Sequence, residues 1–490
     1  MIKFPQLICA LAALTVSLHA DGVRVPNFSF ENPPVPEGTP AYPVHVGWQQ
    51  YPKPAWYDDG GGFSWDLLTG VFKNTAAGEF DHIDNVDQIQ AAYLFAVTEN
   101  GIYQDLPVTF QTGVAYTASV GFCGSASIPP AAGATLDVTL YYRNAANEMV
   151  GIATNTVTYN AATFPNSTNL VDFSVSSTAV KSTDAWAGKN IGVSVRSTAS
   201  SETMGGIWDL DNVRVNAWIP VANHSFEAPQ VAGAPAFPFI DSWSDFEEPA
   251  GWDESQSGAW DNLTGVFPNP ESGQPGRIEN MDQAQAAYLF STPGAGIMQL
   301  LDSTYLPGAT YTLTVGLVAS SSIPPTQDVP IDFGFYYLDE SNRRIGISGH
   351  PINYTPTNFP DFTHFVDFSS TARGIVPLSP WAGKKIGVFI ASAADQSNLG
   401  GIWDIDNVRV SVSFGVQVRF AMEGSNLRLS WDSVGGTVYE VIALDDLNTF
   451  LPVWTRVDTT ITGTGDEVSK VVAIPNGGKR FFEVRTVRNP

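Results

Sequence analysis

Cysteine is nearly missing from this 490-residue sequence. There are two, and Cys9 falls inside an expected leader, so the mature chain keeps only Cys123. One thiol cannot close an intramolecular disulfide, and on an alternating segment it reads as a small buried hydrophobe. Basic residues are scarce as well: 24 Lys and Arg stand against 49 Asp and Glu, a net charge of −25. Such a chain is a poor partner for nucleic acid, whose binding rests on Lys and Arg contacts to phosphates, and none is expected. After the leader no run approaches the roughly 18 apolar residues of a membrane span, so no transmembrane segment is expected. Helical periodicity never lasts beyond a turn or two. The five histidines after the leader lack metal-ligand spacing and none recurs between the two halves, and there is no Gly-x-Ser-x-Gly or phosphate-cradling glycine loop. A non-catalytic protein is therefore expected, although a glycosidase needs only two carboxylates at a set separation, which 49 acids do not rule out.

What is abundant points to β-structure. Glycine (44), proline (34) and aromatics (12%) suit many short strands joined by tight turns. At this length one core is too few, and about three domains are expected. Residues 1–20 read as a signal peptide, with Lys3 as the positive start, an apolar stretch from Leu7 to Leu18 and Leu18-His19-Ala20 before the cut. The expected location is secreted, extracellular or at the cell surface. Residues 414–490 carry 8 basic and 9 acidic side chains and the first 20 residues a single lysine, so residues 21–413 hold a net −25. That acidity is either a solvated surface suited to a salty or calcium-rich exterior or a store of cation ligands.

The sequence is duplicated. Trp48 matches Trp243, Trp65-Asp66 matches Trp260-Asp261, and Ala91-Ala92-Tyr93-Leu94-Phe95 matches Ala286-Ala287-Tyr288-Leu289-Phe290, each 195 residues apart. The same offset relates Trp186-Ala187-Gly188-Lys189 to Trp381-Ala382-Gly383-Lys384 and Trp208-Asp209-Leu210-Asp211-Asn212 to Trp403-Asp404-Ile405-Asp406-Asn407. Only the opening Asn27-Phe28-Ser29-Phe30-Glu31, which pairs with Asn223-His224-Ser225-Phe226-Glu227, is offset by 196. A period this long makes each copy a whole domain rather than one turn of a solenoid. Alternating segments such as Ala115–Val120 and Thr310–Val315 follow turn-forming Gly113 and Gly308. The predicted fold class is all-β: two tandem β-sandwich jelly rolls, residues 21–218 and 219–413, and a small C-terminal β-sandwich, residues 414–490.

The opening Asn-x-Ser-Phe-Glu, the Trp-rich stretch, the Gly-x-x-Tyr-Thr strand and the closing Asp-Asn-Val-Arg-Val, found twice in the same order, resemble the galactose-binding-like jelly rolls of secreted bacterial proteins, which include many carbohydrate-binding modules. The tail carries Leu427-x-Leu429-x-Trp431 and then Tyr439-x-Val441, and is similar to the second and third strands of a fibronectin type III sandwich. The first resemblance implies an extracellular polysaccharide or glycan as partner, the second a spacer or cell-surface attachment domain.

Two sites follow. In a jelly roll the first and last strands are neighbours, so Glu31 is expected near Asp211 and Glu227 near Asp406; alternation places Asp209, Asp211 and Val213 on one face. A carboxylate there is costly unless paired or metal-bound, and calcium takes six to eight oxygens. The resemblance implies the same, since related modules hold a structural calcium with an early Glu and a late Asp; the alternative is that these acids cap loops. The second site is the aromatic stretch: Tyr42, Trp48, Tyr51, Trp56, Tyr57, Phe63 and Trp65 in the first copy, Phe237, Phe239, Trp243, Phe246, Trp252 and Trp260 in the second. Aromatic faces pack on the apolar side of a pyranose while carboxylates bond its hydroxyls. Trp48, Trp65, Trp243 and Trp260 recur in register and read as core or as ligand contacts. Trp56, Tyr57 and Trp252, with Asp58, Asp59 and Asp253 beside them, are the expected sugar-binding residues. The rivals to tandem glycan binding are a structural surface or matrix protein and a polysaccharide-degrading enzyme.

Overall fold

A computed structural model describes residues 22–486 apart from 39, 44–45, 232–237, 327, 374, 376–377, 415, 417, 425, 433–437, 445–454, 464–466 and 474–480. The expected signal peptide and Phe237 lie outside the described residues.

Repeat 1 contributes β1 (Gln49–Gln50), β2 (Thr69–Lys73), β3 (Gln90–Phe95), β4 (Gly101–Thr109), β5 (Ala115–Gly124), β6 (Thr135–Arg143), β7 (Met149–Thr158), β8 (Val171–Ser176), β9 (Asn190–Ser197) and β10 (Ile207–Ile219). They form two antiparallel sheets. The first runs β1-β4-β9-β6-β7 and the second β2-β3-β10-β5-β8. Alternation decides what lies between them. Ile102 and Leu106 of β4, Leu136, Val138 and Leu140 of β6, and Ile191, Val193 and Val195 of β9 turn inward to meet Ala92, Leu94, Val120, Phe122, Trp208 and Leu210 from the other sheet, all essentially inaccessible. Trp208 sits at the aromatic centre of this core, edge-on to Tyr159 and Phe164 at 5.4 Å from each.

Repeat 2 has the same plan: β11 (Ser244–Asp245), β12 (Thr264–Pro268), β13 (Gln285–Phe290), β14 (Gly296–Thr304), β15 (Ala309–Ala319), β16 (Pro330–Leu338), β17 (Arg344–Gly349), β18 (Ile352–Asn353), β19 (Val366–Ala372), β20 (Lys385–Ser392) and β21 (Ile402–Phe414). Its first sheet is β11-β14-β20-β16-β17 with β18 on β16, and its second is β12-β13-β21-β15-β19. Trp403 takes the place of Trp208, packed on Tyr354 and Phe359.

The join between the copies is strand rather than loop. The closing strands run on for 13 residues each, and their ends pair antiparallel, Ala217 opposite Val412, Trp218 opposite Ser411 and Ile219 opposite Val410. Ala217 and Val412 are equivalent positions 195 residues apart, so the two copies meet about a local two-fold, as the subunits of an isologous dimer do. One ten-stranded sheet and one continuous apolar cluster cross the boundary.

The tail forms a third, smaller sandwich, with β22 (Arg419–Glu423), β23 (Asn426–Asp432), β24 (Val438–Leu444), β25 (Thr455–Arg456), β26 (Ile461–Thr462), β27 (Glu467–Ala473) and β28 (Phe481–Thr486). One sheet is β22-β23-β27; in the other β24 pairs with β25, β26 and β28. Trp431 and Tyr439, centroids 5.8 Å apart, are buried between them with Leu429, Val441, Val472 and Val484.

Candidate functional site

The same alternation that fills the core leaves a second set of side chains on the outer face of each first sheet. In repeat 1 a row across the strands reads Gln49, Tyr103, Ser194, Thr139, Thr154, and the next reads Asp105, Gly192, Tyr141, Gly151. Tyr51 packs edge-on against Tyr103 at 5.1 Å. The Tyr103 hydroxyl donates to Gln49 Oε1 at 2.8 Å. Arg143 lies 5.4 Å over the Tyr103 ring while its Nε donates to both Asp105 oxygens at 3.0 Å, and the Tyr141 hydroxyl donates to the same carboxylate at 3.0 Å. Arg196 lies 5.0 Å over Tyr51 and pairs with Glu99 at 3.3 Å. Gly192 is required here, since a Cβ would come within 2.3 Å of the Tyr141 ring. Burial raises the phenol pKa of both Tyr51 and Tyr141, so each stays a hydrogen-bond donor at any ordinary pH. The result is a half-buried Tyr51–Tyr103 pair framed by two arginines whose positions their own carboxylates fix.

The aromatic loop leaves the edge of this face. Trp65 Nε1 donates to the Tyr51 carbonyl at 2.8 Å, Tyr57 packs edge-on to Trp65 at 4.9 Å, and Trp56 packs edge-on to Tyr57 at 5.7 Å. Trp56 is 49% exposed. The acids beside it hold the loop together: Asp58 accepts from the Gly60 amide at 2.9 Å, and Asp59 accepts from the Trp65 amide at 2.9 Å and pairs with Lys53 at 2.7 Å. In repeat 2 Trp252 is half-buried, edge-on to Trp260 and donating to the Gly258 carbonyl at 3.0 Å, while Asp253 caps the short helix Glu254–Ser257 through the Ser255 amide. The in-register tryptophans are core: Trp48, Trp65, Trp243 and Trp260 are all buried, and their indoles donate to the carbonyls of Asn27, Tyr51, Asn223 and Phe246.

The opening and closing segments of repeat 1 meet, Val23 bridging Val215 and the Val213 amide donating to the Phe28 carbonyl. The expected shared face of Asp209, Asp211 and Val213 is not found. A bulge between Asp211 and Arg214, with Asn212 at φ 60°, inverts the alternation, so Val213 enters the core while Asp211 lies on the opposite side. Glu31 accepts from the Ile89 and Gln90 amides at 3.0 and 2.8 Å, and Asp211 Oδ2 from the Asp87 amide at 2.7 Å. Asp211 is fully buried, and its Oδ1 has no hydrogen-bond partner. Burial, with Asp87 and Glu31 adding repulsion, pushes its pKa up to about 8. Repeat 2 differs at one atom: Glu227 accepts from Ala284 and Gln285 and Asp406 Oδ2 from Asp282, but Asp406 Oδ1 accepts from the Asn407 amide and is not orphaned; burial pushes Asp406 up to about 7. An orphaned, desolvated carboxylate oxygen beside two more acids fits a cation. Among the described residues no three His, Cys, Asp or Glu side chains form a metal cage. A calcium here would therefore take most of its six to eight oxygens from backbone carbonyls and water.

Asp209 and Asp404, one pleat away on the outward side of the second sheet, are 7% and 6% exposed, and burial pushes each up to about 8. The tyrosine face lies outside what the two repeats share, so the duplication does not reveal it. The signal that marks it is divergence at offset 195 inside matched strands: Tyr103 against Met298, Asp105 against Leu300, Ser194 against Phe389.

Comparison with known proteins places the chain. The model of the family described as HpiC1-like, HpiC1 cyclase, matches residues 21–216 and 217–340, and the chain belongs to that family. Membership of a family of cyclases overturns the expectation that the protein has no catalytic role. No curated protein matches significantly. Among solved structures, a cyclase from Fischerella sp. TAU, crystallised with 4-(1H-indol-3-yl)butan-2-one, is 20% identical over 40% of this chain and 98% of its own, with a TM-score of 0.31. The tandem CBM22-1–CBM22-2 domains of Paenibacillus barcinonensis Xyn10C are 13% identical over 74% of this chain and 92% of theirs, TM-score 0.24. The C-terminal family 22 carbohydrate-binding module of Clostridium thermocellum Xyn10B is 15% identical over 40% and 98%, TM-score 0.23. No helix among the described residues is long and apolar enough to cross a membrane.

Proposed function

We propose that this is a secreted protein whose first repeat binds an extracellular glycan on the outer face of its β1-β4-β9-β6-β7 sheet. The observation that carries the reading is the Tyr51–Tyr103 pair held between the Arg143–Asp105 and Arg196–Glu99 ion pairs. Tyrosine rings offer an apolar surface to the C–H face of a pyranose, and the fixed polar groups around them match its hydroxyls. Trp56 and Tyr57 extend the platform from the sheet edge, and the fibronectin-like tail serves as spacer or surface attachment. A glycan array probed with residues 21–490, followed by calorimetry on the glycans retained, tests the reading. Binding that Tyr103→Ala weakens at least tenfold supports it; no retained glycan, or one indifferent to Tyr103→Ala, removes it.

Structural calcium at Glu31/Asp211 and Glu227/Asp406 belongs to the same proposal, supported by the orphaned Asp211 Oδ1. Removing the ion restores the cost of a buried carboxylate in each repeat.

A second reading is catalytic, favoured by the family and by Asp209 and Asp404. A carboxyl group titrating near 8 keeps its proton at neutral pH and can donate it in a ring closure. Carboxyl carbon NMR of the chain at pH 7 checks the premise: resonances lost in Asp209→Asn and Asp404→Asn should show protonated acids, and ionised ones sink this reading.

A further inference from the structure

We propose that the outer face of the first sheet of repeat 2 is a second binding site, of different chemistry from the repeat 1 face, for an apolar carboxylate such as an aromatic acid. At the positions where repeat 1 carries Tyr103, Asp105, Ser194 and Arg196, repeat 2 carries Met298, Leu300, Phe389 and Ala391. The register puts Ser244, Met298, Phe389 and Gly334 in one row and Leu300, Gly387 and Tyr336 in the next. Leu300 is 40% exposed, although its neighbours Gln299 and Leu301 are buried. Four polar side chains of the repeat 1 face are thus replaced by apolar ones, while Tyr336 and Asp332 keep the places of Tyr141 and Asp137.

The charged residues of this face are Asp332 in the row of Ala391, the mutually paired Asp302 and Lys385, and Arg344. Arg344 starts β17 at one edge of the sheet, yet its guanidinium lies 3.5 Å from the ring centroid of Phe246, which follows β11 at the other edge. Its Nη1 sits 3.9 Å from Met298 Sδ on the way. The guanidinium therefore lies over this face, against Phe246 and Met298. Among the described residues no carboxylate lies within ion-pair distance of it, whereas Arg143 and Arg196 of repeat 1 each have one. Glu247 and the Tyr336 hydroxyl act on it only through space, and desolvation lowers its pKa. A guanidinium stacked on an aromatic ring, set among apolar side chains and left without an anion, is a fork for a carboxylate whose apolar part rests on Met298, Leu300 and Phe389. Both halves of the ligand are specified: the charge by Arg344, the apolar body by the three side chains.

Calorimetry on residues 21–490 tests this with naphthalene-2-carboxylate, its uncharged carboxamide, and acetate. The expected result is one site for the naphthoate, at least tenfold weaker binding of the carboxamide and none of acetate. Arg344→Met should weaken the naphthoate at least tenfold and leave the carboxamide unchanged, and Arg344→Lys should restore part of the loss. Leu300→Asp, which installs the repeat 1 residue, should weaken both. Arg143→Met in repeat 1 should change neither. Equal affinity for naphthoate and carboxamide, or naphthoate binding that survives Arg344→Met, overturns the proposal. So does the absence of naphthoate binding by a chain that melts as the unsubstituted protein does.

Discussion

The two repeats share a core and differ on one face. Inside, Trp208 and Trp403, Leu210 and Ile405, and Val193 and Val388 occupy equivalent buried positions. On the outer face of the first sheet, repeat 1 presents tyrosines locked by paired arginines, and repeat 2 presents Met298, Leu300 and Phe389 with Arg344, which has no ion-pair partner among the described residues. Close packing penalises change in the core by several kcal/mol, while a solvent-facing row tolerates it at little cost to stability. Duplication of a domain therefore leaves the scaffold fixed and frees one copy's face to acquire another ligand.

The comparison breaks most severely if the cores prove unequal. Trp208→Ala and Trp403→Ala should each cost about 3–5 kcal/mol. Because β10 pairs with β21 and the apolar cluster is continuous, either substitution should lower the melting of both repeats together, in one calorimetric transition. Two transitions, only one of them displaced, would show the copies to be independent.

The carboxylate sites come next. An ion bound only by the folded chain stabilises by about 2.7 kcal/mol at a hundredfold excess over Kd, so chelation should lower the melting temperature, and Asp211→Ala and Asp406→Ala together should remove that response. In the chelated protein Asp209, Asp211, Asp404 and Asp406 have folded pKa values of about 7 to 8, above the roughly 3.9 of an unfolded aspartate. Raised values mean that the stabilising, protonated form is fully present below about pH 4 and is lost as pH climbs through about 8. Melting of the chelated chain should fall across that window, and saturating calcium should flatten the part due to Asp211 and Asp406. Melting that is independent of pH and of calcium would reduce all four acids to loop residues.

The faces themselves are sharpened by exchange. Tyr103→Met with Asp105→Leu in repeat 1 should weaken glycan binding by at least tenfold, about 1.4 kcal/mol, while Met298→Tyr in repeat 2 should leave it unchanged. Equal losses from both changes would place glycan on both faces. The smallest expected effect on stability is at Trp56: Trp56→Ala should move it by less than about 0.5 kcal/mol, where Trp65→Ala costs about 3–5 kcal/mol. A large loss from Trp56→Ala would mean that the loop is packed as a core is.

Some of this was decided by the sequence alone. The 195-residue register, the alternation of Ala115–Val120 and Thr310–Val315, and the glycines before them specify two copies of an antiparallel sandwich, because period-two alternation has one way to bury its apolar side. The roles of Trp48, Trp65, Trp243 and Trp260 stayed open, since a recurring aromatic serves a core and a ligand equally well until its surroundings are known. Tertiary structure decided three things that no local pattern contains. It put a bulge at Asn212 and so separated Asp211 from Val213, because a single extra residue inverts every side chain after it. It made the boundary expected between residues 218 and 219 a paired strand, because the partner strand lies 195 residues away. And it brought Tyr51, Tyr103, Asp105, Arg143 and Arg196 onto one face, because neighbours across a sheet are set by strand order and register, which are properties of the whole chain.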